Sequence, residues 1–322
     1  MSSGSLLVGD FMPLHPSLSR LDAAREVQEF QSEPLQMRAA APGKVGELRL
    51  GFALRGGRSV LSDLYRVTPL LVQQALYWDE EMPELPICMI ISVGGGVLQG
   101  DRYTVRISVG EGACAHVSSQ GANRLHQMDA NYASQYQQVR VEEGGYLEFL
   151  PDLTIPYRGS RYINETDIVA AEGATVLYGE MILSGRKHHH DDERFGLDLL
   201  SMAVCVRRPD ETVLFREKIL IRGGDEFLDF GACMRGFDAF ASIICVTPPD
   251  VADRIKARFE TLFPTDAPSA LAGVSRLPNA AGLMLRAVGF ESYDVRREVR
   301  RFWKIVREEA RGRTLPEECL WR

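Results

Sequence analysis

Two stretches of this sequence concentrate residue types that bind ions. The first is His188-His189-His190, which runs directly into Asp191-Asp192-Glu193. Imidazole and carboxylate together suit borderline divalent ions such as nickel or zinc. Side chains on a regular strand alternate faces, so three consecutive histidines there do not converge on one ion. In a loop the run either holds a metal weakly or is simply solvated. The second stretch is Val93–Asp101 (VGGGVLQGD), which invites comparison with phosphate-binding loops. A Walker loop needs lysine and then Ser or Thr after its last glycine, but Asp101 follows Gly100. A dinucleotide fingerprint needs a third glycine opening a helix, but Gln99 stands at that position and a strand pattern follows. What remains is a turn between two strands. Gly95, Gly96 and Gly100 permit positive φ and close backbone approach, and Asp101 can accept hydrogen bonds from exposed turn amides.

Other chemistry is sparse. No GxSxG elbow occurs, and Ser118-Ser119 have no base near them in sequence. His116 sits in an alternating strand and reads as half-buried or surface. Glu180, Glu193 and Glu217 are scattered acids, which on strands are most often exposed charges. The six cysteines are dispersed without a CxxC pair and lie mostly in apolar runs, as Cys245 does in SIICV, so they read as buried thiols. A formal charge of −7 and a pI near 5.5 argue against nucleic acid as a partner. No apolar run approaches the roughly 20 residues that span a bilayer, and the first residues lack a signal-peptide pattern. The expectation is a cytoplasmic protein that binds neither nucleic acid nor membrane.

The elements that must position these residues are strands. From Val45 onward, short runs rich in β-branched and aromatic residues recur between turns such as Gly110-Glu-Gly112, Glu143-Gly144-Gly145 and Glu172-Gly173. Tyr103-Thr-Val105-Arg-Ile107-Ser-Val109 alternates as a half-buried strand does. About a dozen such runs predict a mainly β sandwich, barrel or coiled sheet, and strands do not alternate with helices as in a doubly wound sheet. Three regions follow. Residues 1–43 form a proline-bearing extension, flexible or partner-dependent, with a short helix expected over Ser19–Phe30. Residues 44–246 form the β-rich body, and residues 247–322 a small α/β portion. In that last portion Val251, Ile255, Phe259 and Leu262 predict one amphipathic helix, and Val295, Val299, Trp303 and Val306 another. Ala281–Val288 between them reads as a strand.

Several of these segments, taken in order, resemble the UreD (UreH) family of urease accessory proteins. Gly95-Gly96-Val-Leu-Gln-Gly100-Asp101 is similar to its Gly-Gly-x-x-x-Gly-Asp signature. Pro69-Leu-Leu-Val-Gln73, Leu147-Glu-Phe149-Leu-Pro151, Gly185-Arg186 and the ending Leu315-Pro316 with Leu320-Trp321 match further family segments. The resemblance runs from about Glu47 to Trp321. Two departures stand out: Gln99 replaces a glycine, and Ser119–His126 carries Asn123, Arg124 and His126 where the family has a small polar residue, lysine and an aromatic hydroxyl. Arginine keeps the charge of lysine but not its geometry.

The resemblance implies many strands stacked in a helix-like arrangement, no enzymatic activity and no tightly bound cofactor. It implies UreF-like and UreG-like accessory proteins and apo-urease as partners, with Ni2+ bound only in transit. Asp101, Glu180 and Glu217 match acidic family positions and become candidates for that route. His188, His189 and His190 join them on residue chemistry alone. Gly95, Gly96, Gly100, Asn123, Arg124 and Arg186 become candidate partner or motif residues. Two other readings stay open: a metal-dependent β-fold hydrolase built on His188–His190, and an interaction module of the same fold serving another complex.

Overall fold

Alternation gives each strand two unlike faces, and the fold follows from how those faces are paired. The computed structural model describes residues 20–32, 44–190, 193–224, 234, 236–261 and 269–317. The body opens with a hairpin, β1 (Val45–Arg55) and β2 (Arg58–Val67), whose Gly56 and Gly57 both hold positive φ. After a two-residue strand, β3 (Leu70–Leu71), the chain begins to wind between two sheets. It passes from β4 (Ile87–Ser92) to β5 (Arg102–Val109) in the opposite sheet, and back to β6 (Cys114–Ser119). The short β7 (Asn123–Leu125) leads to β8 (Ala133–Val141), β9 (Tyr146–Phe149) and the short β10 (Thr154–Pro156). The winding continues through β11 (Arg161–Ala170), β12 (Thr175–Leu183) and β13 (Leu199–Arg207), and β13 hairpins into β14 (Val213–Arg222).

Each turn of this coil lays a strand in parallel on the previous one. In one sheet the stack is β1, β5, β8, β11, β13. In the other it is β4, β6, β9, β12. Parallel pairing thus arises without helices, because the crossover between two neighbours is a strand of the facing sheet. The glycine turns fix one corner. Gly112, Gly144 and Gly173 all hold positive φ and stack on one another, and the Gly112 N–H donates to Glu143 O at 3.0 Å. The mainly β, helix-like stack expected from the sequence is what the chain forms.

The last strands, β15 (Ala239–Val246), β16 (Ala270–Arg276) and β17 (Gly282–Gly289), add antiparallel to β12 in the order β12–β15–β17–β16. The segment after residue 247 therefore continues the same sheet. Among the described residues the result is a seven-stranded and a ten-stranded sheet. Their inner faces share one core, including Leu50, Ile107, Val139, Leu147, Ile168 and Ile244. On the outer face of the ten-stranded sheet lie α1 (Pro249–Thr261) and α2 (Ser292–Arg311), whose Ile255, Phe259, Val299, Phe302 and Val306 bury against Leu177, Ile243 and Leu285. Leu262, expected in the first helix, and Leu320-Trp321 lie outside the described residues.

The N-terminal segment differs in form from the expected helix. Over residues 20–32 only a single turn and a 3-10 stretch, Arg25–Phe30, form, and Ser19 lies outside the described residues. Leu21 and Val27 are buried against Tyr132, Tyr136, Ile163 and Leu199 on the outer face of the seven-stranded sheet. Burying these side chains, worth roughly 1.5–3 kcal/mol each, holds the segment to the sheet without a long helix.

Candidate functional site

Period two places Tyr178, Glu180 and Ile182 of β12 on the inner face. Tyr162, Asn164 and Thr166 of β11 stand on the facing one. Glu180 is thereby turned into an otherwise apolar core. Its Oε1 accepts from Asn164 Nδ2 at 2.7 Å and from the Tyr178 hydroxyl at 2.5 Å. The Tyr178 and Thr166 hydroxyls are 2.9 Å apart, and Thr166 reaches Gln137 at 3.4 Å. The Asn123 side chain lies close enough to Tyr162 to favour its ionised form, so the polar file reaches β7. Burial pushes Glu180 up to about 7, against the bonds from Tyr178 and Asn164 that favour its charged form. Among the described residues no Lys or Arg is paired with it.

Two further observations mark this pocket. Asn164 Oδ1 is buried without a hydrogen-bond partner. Glu180 itself remains partly accessible although Tyr162, Asn164 and Tyr178 around it are closed off. A carboxyl poised near neutrality, an unused amide oxygen and a phenol oxygen can together hold either a proton and water or a passing cation. Among the described residues no group of three or more His, Cys, Asp and Glu is assembled as a metal cage.

The file continues along the inner face of the ten-stranded sheet. Glu180 is in register with Ser242 of β15, and Ser242 with Arg286 of β17. Arg286 pairs across the gap with Glu217 of β14 in the facing sheet. The family resemblance made Glu217 a candidate for the nickel route. The structure engages it with a guanidinium at the end of the same row.

Asp101 has a different setting. It is 2% exposed; Oδ1 accepts from the Lys44 N–H at 3.0 Å, and Oδ2 from the Leu98 N–H at 2.9 Å and the Tyr103 hydroxyl at 2.6 Å. Both oxygens are consumed in closing the glycine turn, as the capping alternative anticipated. That turn packs on the second motif. Val97 N–H donates to Arg124 O at 2.7 Å and His126 N–H to Val97 O at 3.0 Å. A Cβ on Gly96 would lie 2.6 Å from Arg124 O, so only glycine fits there. The two departures from the family pattern therefore meet. His126 sits against the turn and edge-on to Tyr157, while the Gln99 side chain accepts from the Asp129 N–H at 2.9 Å. Arg124 is exposed. Arg186 lies over the Tyr157 ring at 3.9 Å and pairs with Glu193.

His188, His189 and His190 are exposed on a turn after Arg186. The His189 and His190 rings are 4.3 Å apart, and Asp191 and Asp192 lie outside the described residues. His188 and His189 rim a surface cavity of about 420 Å³ floored by Ile155, Leu183 and Phe290. His116 is neither half-buried nor on the surface. It lies in a closed network, with Nδ1 2.9 Å from Glu148 Oε2 and its ring stacked on Trp303 of α2. The family resemblance named Glu180 but not its neighbours Tyr162, Asn164 and Tyr178, nor Arg286 further along the row. The available signal was parity: in alternating strands these polar residues fall on the apolar face.

Two coiled sheets that face each other across a polar cluster at Glu180 define a mainly β protein. The family described as UreD urease accessory protein matches residues 44–322. "Urease accessory protein UreD 3" of Methylorubrum populi is 72% identical over 311 residues, covering 97% of this chain and 100% of that protein. "Urease accessory protein UreD" of Yersinia pseudotuberculosis is 50% identical over 300 residues, 93% of each chain. The Yersinia enterocolitica protein of the same name is 49% identical over 306 residues. The chain belongs to the UreD family of urease accessory proteins, an accessory family and not a catalytic one. Among the described residues no helix is long and apolar enough to cross a membrane.

Proposed function

We propose that this chain is a cytoplasmic scaffold that docks on apo-urease together with UreF- and UreG-type partners. In this reading it gives Ni2+ a polar passage through the gap between its two sheets. The observation that carries the reading is the Glu180 cluster: a partly accessible carboxyl raised to about 7, hydrogen-bonded on one oxygen to Asn164 and Tyr178 with no cation paired to it, beside an unpartnered Asn164 Oδ1. Burying unpaired polar groups is costly, so such a pocket calls for an occupant. A passage must also bind weakly, and a carboxyl that exchanges a proton for a cation does so. The ledge made by Gly95, Gly96, Arg124, His126 and Arg186 is our candidate partner surface.

The test is urease activation in cells that express the apo-enzyme and its accessory proteins. Glu180→Gln keeps the shape and both hydrogen-bonding neighbours, and is expected to lower activation about tenfold or more, as loss of one buried charged contact does, with unchanged soluble yield. Asp101→Ala is expected to lower soluble yield and activation together, because it unties the turn. Full activation by Glu180→Gln would exclude the passage.

A further inference from the structure

The polar row that starts at Glu180 has an open end. Ser242, beside Glu180, is 6% exposed, whereas Arg286 one strand further is 44% exposed at its side chain, and Glu217 facing it 21%. Here the two sheets approach their edges, β14 on one side and β17–β16 on the other. Ile219, Met284, Val288 and Leu271 are only partly buried. Neighbouring strands are about 4.8 Å apart, so the Arg286 backbone lies about 10 Å from that of Glu180 along a single row. A guanidinium does not lose its proton in proteins, and Glu217 ties this solvent-reaching one to the facing sheet at the mouth of the gap.

We propose that the Arg286–Glu217 pair is an electrostatic stop that closes this mouth of the inter-sheet gap to divalent cations. The inference rests on the proposed passage and adds its direction. A dication at Glu180 that moves past the Ser242 hydroxyl meets a fixed positive charge whose own carboxylate is already occupied. In the other direction it meets the neutral oxygens of Asn164, Tyr162 and Asn123. Transfer therefore runs toward the β7 end, and cations in bulk solvent do not enter or leave through the β14–β17 end. Arg286 is a positioning residue for the traffic, and Glu217 is its anchor.

The experiment is a titration of urease activation against nickel in the medium, with the full chain and its partners co-expressed. Wild type, Arg286→Lys, the double variant Arg286→Gln/Glu217→Gln, and Glu180→Gln are compared. Removing both charges together leaves no unpaired carboxylate, so the double variant isolates the barrier. It is expected to need about tenfold more nickel for half-maximal activation, the scale on which fixed charges alter local cation concentration, with the plateau retained. Arg286→Lys keeps the charge and is expected to track wild type. A double-variant curve that superimposes on wild type, or one whose plateau drops without a shift, overturns the stop and leaves the pair a structural tie. Those outcomes with Glu180→Gln still defective reject the stop alone. A Glu180→Gln curve identical to wild type rejects the passage beneath it.

Discussion

Glu148 and Glu180 are glutamates on neighbouring strands of one sheet, yet they are opposite in every physical respect. Glu148, on the outer face of β9, is 0% exposed and receives four hydrogen bonds. Arg307 Nε and Nη2 donate to it at 2.8 and 2.7 Å, the Tyr146 hydroxyl at 2.7 Å, and His116 Nδ1 at 2.9 Å. Arg307 also pairs with Asp79. Burial alone would raise the Glu148 carboxyl, but the Arg307 guanidinium and the His116 bond overcome it and hold it well below the usual carboxylate range. Glu180, on the inner face of β12, has two neutral donors on one oxygen and no cation, and burial wins. A saturated buried charge is a rivet, here fastening α2 to the sheet. An unsaturated one is a candidate site.

The most forceful way to break this contrast is to remove the cation from the rivet. Arg307→Met leaves Glu148 and Asp79 buried with no counter-charge. Breaking a buried pair from one side costs about 3–5 kcal/mol. The expected outcome in urea denaturation is a large fall in midpoint. A loss below about 1 kcal/mol would mean that the network is not what holds α2, and that Glu148 deserves the scrutiny given to Glu180.

The second effect is smaller and opposite in sign. A carboxyl whose pKa is about 7 folded and 4.5 unfolded binds more protons in the folded state between those values. Its contribution to stability is therefore most favourable below about pH 4.5. It declines as pH rises toward 7, by about 3 kcal/mol. Glu148 behaves in reverse: its contribution is present above the unfolded value of 4.5 and is lost only as pH falls through its depressed folded pKa. Between pH 5 and 7 the two can be told apart. Glu180→Gln is expected to flatten the decline and to be at least as stable as wild type at pH 7.5, read from denaturation midpoints across that range. If wild type and variant show parallel pH profiles, Glu180 is already ionised and paired, and the contrast collapses.

The same contrast explains what the sequence could disclose. The mainly β character was legible because many strands alternate and glycine turns recur at matching places, as Gly112, Gly144 and Gly173 show by stacking, whereas the helix-like winding of the sheets was implied only by the family likeness. Glu180 was reachable only through family likeness, since a lone acid in an alternating strand gives no sign of which face is enclosed. Its neighbours Asn164 and Tyr162 come from β11, and Arg286, two strands further along the same row, from β17; such juxtapositions depend on register between strands distant in sequence. His116 was misjudged for a related reason. Both faces of the ten-stranded sheet are covered, one by the facing sheet and one by the helices, so alternation there separates two interiors rather than inside from outside. Residues 20–32 went unrecognised as packed because two apolar anchors, Leu21 and Val27, suffice where four charged contacts assist. Those contacts are Arg20 to Glu165, Asp22 to Arg102, Glu26 to Lys218 and Glu29 to Arg222.

If enclosure rather than residue type makes a site, the histidine run supplies the mildest test. His188, His189 and His190 have the strongest metal-binding chemistry in the chain and the least enclosure. Replacing all three with glutamine is expected to change stability by less than about 0.5 kcal/mol, as surface substitutions usually do. It is also expected to leave urease activation at limiting nickel within twofold of wild type, an effect of about 0.4 kcal/mol or less. The variant should lose any nickel that the purified chain retains weakly at its surface, measured by equilibrium dialysis. A large fall in activation would reverse the ordering. Exposed imidazoles at the rim of the 420 Å³ cavity would then be collecting the ion, and Glu180 would be downstream of them.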